Sequence, residues 1–204
     1  MTDKQSNADA ISRELVTMAA EDLWVRAELA ADGSLFDGYH PRMEAIHKRN
    51  AARLRVIIER VGWPGRAVFG EDASRAAWLI LQHAIGEPDF QRQGLGRLQA
   101  AAAEGDVPAV EVAMLEDRIR VFEGRPQRYG TQLDEGDDGT LVPFPIEDHD
   151  GVDARRAGVG LPPLEETLRD KQAMREAEGP PSSGDRAERQ RRYEEWLKQV
   201  GWRS

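Results

Sequence analysis

The chain has 204 residues, 40% of them hydrophobic and 32% charged, a balance that sets aside intrinsic disorder and points to one domain with a terminal appendage. Its 28 basic and 37 acidic side chains leave a net charge of −9, a sign that repels phosphate backbones and speaks against nucleic acid as the principal partner. The absence of cysteine excludes disulfides, thiolate metal sites and a cysteine nucleophile. The apolar runs are too short to span a bilayer and the polar start MTDKQSNADA lacks a signal-peptide core, so a cytoplasmic location with no membrane partner is expected.

Residues 1–9 read as a flexible N-terminus. From about Ala8 to Ala30, Ile11, Leu15, Met18, Val25 and Leu29 fall on one face at helical spacing, predicting an amphipathic helix. After the turn-rich GSLFDGYHPR, a second helix is expected from about Arg42 to Val61, ended by Gly62. WPGRAVFG reads as a connector anchored by Trp63 and Phe69. Glu71 and Asp72 open a third helix running to Ala84, since acidic groups favour the positive end of the helix dipole. A fourth helix covers roughly Asp89 to Ala103, where Gly94 and Gly96 suggest close helix packing, and a fifth runs from Pro108 to Phe122.

Beyond Gly124 the pattern changes to loop. Tyr129–Leu133 and Thr140–Phe144 flank the acidic turn DEGDDG and could pair as a short hairpin, with Pro143 and Pro145 confining the second strand to an edge. A short helix, a glycine-proline break and another helix follow, then a linker over 179–184. The last helix, 185–204, sets Tyr193, Trp196, Leu197 and Val200 on one face opposite an arginine and glutamate face. The expectation is a mainly α, bundle-like helical domain over 10–178 with a long ordered loop or short β-hairpin, completed by a C-terminal amphipathic helix. That helix folds back on its own domain, or docks a protein partner or a second copy through Tyr193 and Trp196.

Four of these helices carry a polar residue inside the apolar stripe: Asp22 in the first, Asn50 with His47 beside it in the second, His83 with Gln82 adjacent in the third, and Asp117 with Arg118 in the fifth. Burial of such groups without partners costs a few kcal/mol, about 1–3 for an unsatisfied polar group and more for a charge, so they must satisfy one another or line a wet cavity. Arg26, one turn beyond Asp22, is its nearest local partner. The loop residues Gln127, Arg128, Tyr129, Thr131 and Gln132 concentrate amide, guanidinium, phenol and hydroxyl groups around Gly130, whose neighbouring amides could bind an anion. No HExxH, GxSxG or GxGxxG is present. Asp22, His83 and Asp117 could in principle hold a metal between helices, but the Glu-x-x-His pair of bundle metal sites is missing, so neither metal nor cofactor is expected.

The ordered series WPG, GED, QHA, DR, QRYGTQ, PIED and RR-x-x-VGLPPL, over about residues 10–170, resembles a widespread bacterial family of unknown function marked by a QRYGTQ-like motif. The resemblance implies a domain boundary and the importance of the loop, and no activity. HDG after PIED and the insertion LDEGDDGTLV depart from the usual pattern.

These readings converge on a helical domain whose QRYGTQ loop closes over a pocket that binds a small polar molecule. His83, Tyr129 and Asp117 are the candidate catalytic residues, because imidazole titrates near working pH and a phenol can supply a proton or stabilise an oxyanion; hydrolysis or elimination would suit them. Asp22, Arg26, Asn50, Gln82, Arg118, Gln127, Arg128, Thr131 and Gln132 are the candidate ligand-binding residues. The alternative is a non-catalytic interaction, regulatory or toxin-antidote protein in which the same groups form a structural network.

Overall fold

In the computed structural model, which describes residues 3–36, 38–136, 138–177 and 186–204, the helical period of the N-terminal stripe becomes α1, Asp3–Ala31. It starts several residues before Ala8, which is already buried together with Ile11, Leu15, Val25 and Leu29. α2, Pro41–Val61, opens with His40 as its N-cap, the imidazole Nδ1 accepting from the Arg42 amide at 3.1 Å, and with Pro41 in the first turn, where its missing N–H is harmless. The WPGRAVFG connector contains a single helical turn, α3, Arg66–Phe69. α4, Glu71–His83, and α5, Pro88–Ala103, follow.

Of the two α5 glycines, only Gly94 answers to close packing. A Cβ there would meet Leu81 Cδ1 of α4 at 2.5 Å, whereas one at Gly96 would meet nothing within 4 Å. Gln91, fully buried on the same helix, donates its amide to the carbonyls of Leu81 and Gln82 at 2.8 and 3.0 Å. These carbonyls lie in the last turn of α4, where i+4 amide donors run out; the Leu81 carbonyl also accepts from the Ala84 amide at 3.2 Å.

The chain forms two compact units, Met1–Val107 and Pro108–Ser204. In the first, α1, α2 and α4 pack against one another, with Leu15, Leu54, Ile57, Ile80 and Leu81 almost wholly buried; each such side chain contributes about 1.5–3 kcal/mol by leaving water. The second holds α6, Ala109–Phe122; the strands β1, Leu133–Glu135, and β2, Leu141–Pro143; α7, Val152–Gly158; α8, Leu164–Ala177; and α9, Arg186–Gln199. The strands pair antiparallel with Leu133 opposite Pro143 and Glu135 opposite Leu141. The hairpin is thus shorter than expected, because the Tyr129 and Thr131 amides are directed elsewhere. The linker expected at 179–184 lies outside the described residues.

α9 folds back within its own unit. Leu197 and the following Trp202 are buried, and Tyr193, Trp196 and Trp202 ring Phe122 at the end of α6 with centroid separations of 6.4, 5.9 and 5.0 Å. Arg203 seals the junction, donating to the last carbonyls of α6, Phe122 and Val121, at 2.8 and 2.9 Å. Among the described residues, no helix is long and apolar enough to cross a membrane.

Candidate functional site

Of the polar residues inside the apolar stripes, Asp22, His47, Asn50, Gln82 and Asp117 are buried and His83 and Arg118 partly so; they resolve into two constellations, one in each unit. In the first unit Asp22, with 1% of its surface exposed, meets histidines from two other helices. His83 of α4 directs Nδ1 at both carboxylate oxygens, 3.0 Å from each. His47 of α2 brings Nε2 to 3.4 Å from Oδ2. Because an ionised carboxylate only accepts, His83 Nδ1 carries its proton toward Asp22. Tyr39, just before α2, donates its hydroxyl to His47 Nδ1 at 2.8 Å and lies stacked on that ring; the rings of His47 and His83 are 5.2 Å apart. A polar chain thus runs from Tyr39 through His47 and Asp22 to His83.

The electrostatics of this chain follow from its burial. Desolvation alone would raise the Asp22 carboxyl, but its close contacts with His47 and His83 outweigh it and hold the group below the usual carboxylate range. The Tyr39 phenol is pushed up, chiefly by burial and further by Glu44 and Asp22, so it stays protonated. Arg26 is exposed, and the partners of Asp22 are the two histidines in its place: beyond Asp22 the buried face of α1 continues through Val25 and Leu29, while α2 and α4 bring His47 and His83 to the carboxylate. Asn50 ties α2 to α1 by donating to the Met18 carbonyl at 3.3 Å, and Gln82 is buried beside His83.

In the second unit Asp117, wholly buried on α6, accepts from the backbone of the QRYGTQ loop. The Arg128 amide donates at 2.7 Å, the Tyr129 amide at 3.1 Å to each oxygen, and the Thr131 amide and hydroxyl both at 3.0 Å. The loop amides form an anion-binding nest, as its glycine suggested, but the anion is the protein's own carboxylate. Gly130 makes this turn possible. It has φ +68°, and a Cβ would come within 2.9 Å of Leu164 and 3.0 Å of Ile146.

Gln127 completes the loop: its side-chain amide donates to the carbonyls of Gln132 and Phe144 at 2.9 Å, and its oxygen accepts from the Gln132 amide at 2.9 Å. Gln132 in turn donates to the Thr131 hydroxyl at 3.0 Å. Arg128 pairs with Glu116 at 3.3 Å and lies over the half-buried Tyr129 ring, 5.6 Å from its centroid. Burial raises the Tyr129 phenol.

Two further residues hold the loop from the other side. Arg156, wholly buried, donates to the carbonyls of Tyr129 and Pro162 at 2.5 and 2.6 Å and to the Thr167 hydroxyl at 2.5 Å. Arg155 donates to the carbonyls of Arg128, Glu147 and Asp148. Arg118 lies within electrostatic reach of Tyr193 of α9, and burial pushes its guanidinium down to about 10. His47 and Tyr39 are absent from the candidate site residues read from the sequence. His47 was visible beside Asn50 on the second helix, but Tyr39 sits in a turn whose outlet no periodicity describes.

The fold and site define a mainly helical protein with a buried aspartate-histidine cluster in one unit and an aspartate-anchored loop in the other. The chain belongs to DUF6624, a family of unknown function whose profile matches residues 9–177. No curated protein and no solved structure shows a significant match to it.

Proposed function

We propose that the protein binds a small polar molecule at the Asp22–His47–His83 cluster of its first unit and acts on it by acid-base chemistry of the hydrolase or lyase type. The observation that carries this reading is the company Asp22 keeps. A carboxylate 1% exposed is held among the described residues by histidines, not by the lysine or arginine that usually closes a structural ion pair. A carboxylate fixing one imidazole nitrogen is the arrangement that orients a proton-transferring histidine. The His83 side chain keeps 19% of its surface exposed, so this end of the polar chain is reachable from outside, and Tyr39 supplies a phenol at the other end.

In this reading the QRYGTQ loop is a rigid element rather than a closing lid. Asp117, Gln127 and Thr131 direct their polar atoms into the loop itself, where they hold its own backbone. The rival reading, protein docking through the Tyr193/Trp196 helix, is weakened by the packing of those rings on Phe122.

A thermal-shift screen of polar metabolites on the full chain tests the proposal, because a ligand that binds only the folded state raises the melting temperature. His83→Ala should abolish the ligand-induced shift, and it should also lower the ligand-free melting temperature, because the buried Asp22 carboxylate loses a hydrogen-bond donor. A large melting loss in that variant, with no compound shifting the parent protein, would assign the cluster to architecture alone.

A further inference from the structure

The geometry points to a site for a divalent transition metal of the zinc type at Asp22, His47 and His83, with at least one coordination position left for the polar ligand; this inference rests on the reading of the cluster as the unit's ligand site. The three residues come from α1, α2 and α4, and one donor atom from each lies within 4.8 Å of those of the other two. Ligands bound to zinc at about 2.0–2.1 Å in tetrahedral geometry stand roughly 3.3–3.4 Å from one another. Asp22 already stands 3.0 Å from His83 Nδ1 and 3.4 Å from His47 Nε2, so two of the three donor separations are already close to those of a zinc site, and the third lies within 4.8 Å.

A second feature supports the assignment independently. Metal-bound histidines almost always have their other ring nitrogen held by an outer partner, which fixes the ring and the tautomer. His47 has one in Tyr39, 2.8 Å from Nδ1, with Nε2 turned to Asp22. When the ion takes the Nε2 lone pair, the imidazole proton moves to Nδ1 and is donated to the Tyr39 oxygen, so the same contact serves both states with donor and acceptor exchanged. The charge also fits: the ionised carboxylate is buried without a lysine or arginine partner among the described residues, and a divalent cation supplies the missing positive charge. Two imidazoles and one carboxylate suit zinc or ferrous iron and not magnesium or calcium, which take oxygen ligands. In the loaded form His83 is a ligand, and water at the remaining position becomes the group that exchanges protons.

Calorimetric titration of the chelator-stripped full chain with zinc alone tests this. One equivalent should bind per chain, with a rise in melting temperature that magnesium does not reproduce. His83→Gln and His47→Gln should each weaken zinc binding by at least tenfold. Tyr39→Phe keeps all three ligands and removes only the outer contact; it should weaken binding by about 10–100-fold while leaving the helical circular dichroism spectrum unchanged, which guards against misfolding of the histidine variants. Zinc binding that is unchanged in the two histidine variants, or a magnesium shift equal to that of zinc, overturns the metal site. If polar molecules stabilise the stripped chain and zinc does not bind, the metal inference fails and the ligand reading stands. If zinc binds and no polar molecule adds to its effect, the outcome is the reverse.

Discussion

Asp117 shows how one buried side chain can organise a loop. Its carboxylate accepts from three successive or near-successive backbone amides and one hydroxyl, and an asparagine in its place would present an NH₂ group to donors that need an acceptor. Asp117→Asn should therefore cost on the order of 3 kcal/mol, the sum of one or two buried donors left unsatisfied. Urea unfolding would read the loss, and hydrogen exchange would show the amides of Arg128, Tyr129 and Thr131 losing protection ahead of the helices. Tyr193 offers a pH-dependent counterpart. Burial raises its phenol to about 12 against an unfolded value near 10. Its contribution is fully present below pH 10 and is lost as pH rises through 12, because only the unfolded chain ionises readily in that window. Tyr193→Phe should flatten the fall in stability between pH 10 and 12.

At the scale of elements, the contact of α4 with α5 depends on the absence of a side chain. Gly94→Ala drives a methyl into the space of Leu81, and overpacking of this kind costs about 1–3 kcal/mol, partly offset by the better helix propensity of alanine. Leu81→Val in the same chain should recover part of the loss, since it removes the clashing atoms; failure of the pair to couple in a double-mutant cycle would mean that the helices separate instead. Gly96→Ala, with nothing near its would-be Cβ, should be neutral or mildly stabilising. The sequence offered the two glycines as equals, because propensity records only what each residue does to its own helix. Which of them faces a neighbour depends on the rotation of α5 against α4. The hairpin shows the same limit: the segments flanking the acidic turn suggested a pair of strands from Tyr129 and Thr140, but the Tyr129 and Thr131 amides are drawn to Asp117, so the first strand covers only Leu133–Glu135.

For the whole molecule, the terminal helix is the clearest test of what completes the second unit. A chain ending at residue 177 would uncover Phe122 and lose the buried Leu197 and Trp202, worth roughly 3–6 kcal/mol together at 1.5–3 kcal/mol for each large apolar side chain. Denaturant unfolding followed by a probe in the second unit should show that loss, and an unchanged curve would deny α9 its covering role.

The sequence by itself determined the helices, the apolar stripe of each and the identity of the polar residues within them. These follow from a 3.6-residue period that depends on near neighbours in the chain. It did not determine the partners. Asp22 was paired on paper with Arg26, one turn away, and with Asp117 as a fellow pocket residue. In the structure its bonds go to His47 and His83, and Asp117 is enclosed by its own loop. Only tertiary structure decides such matters, because a buried charge takes whichever complementary group the packing of other helices brings within about 3 Å, and that distance has no counterpart in positions along the chain.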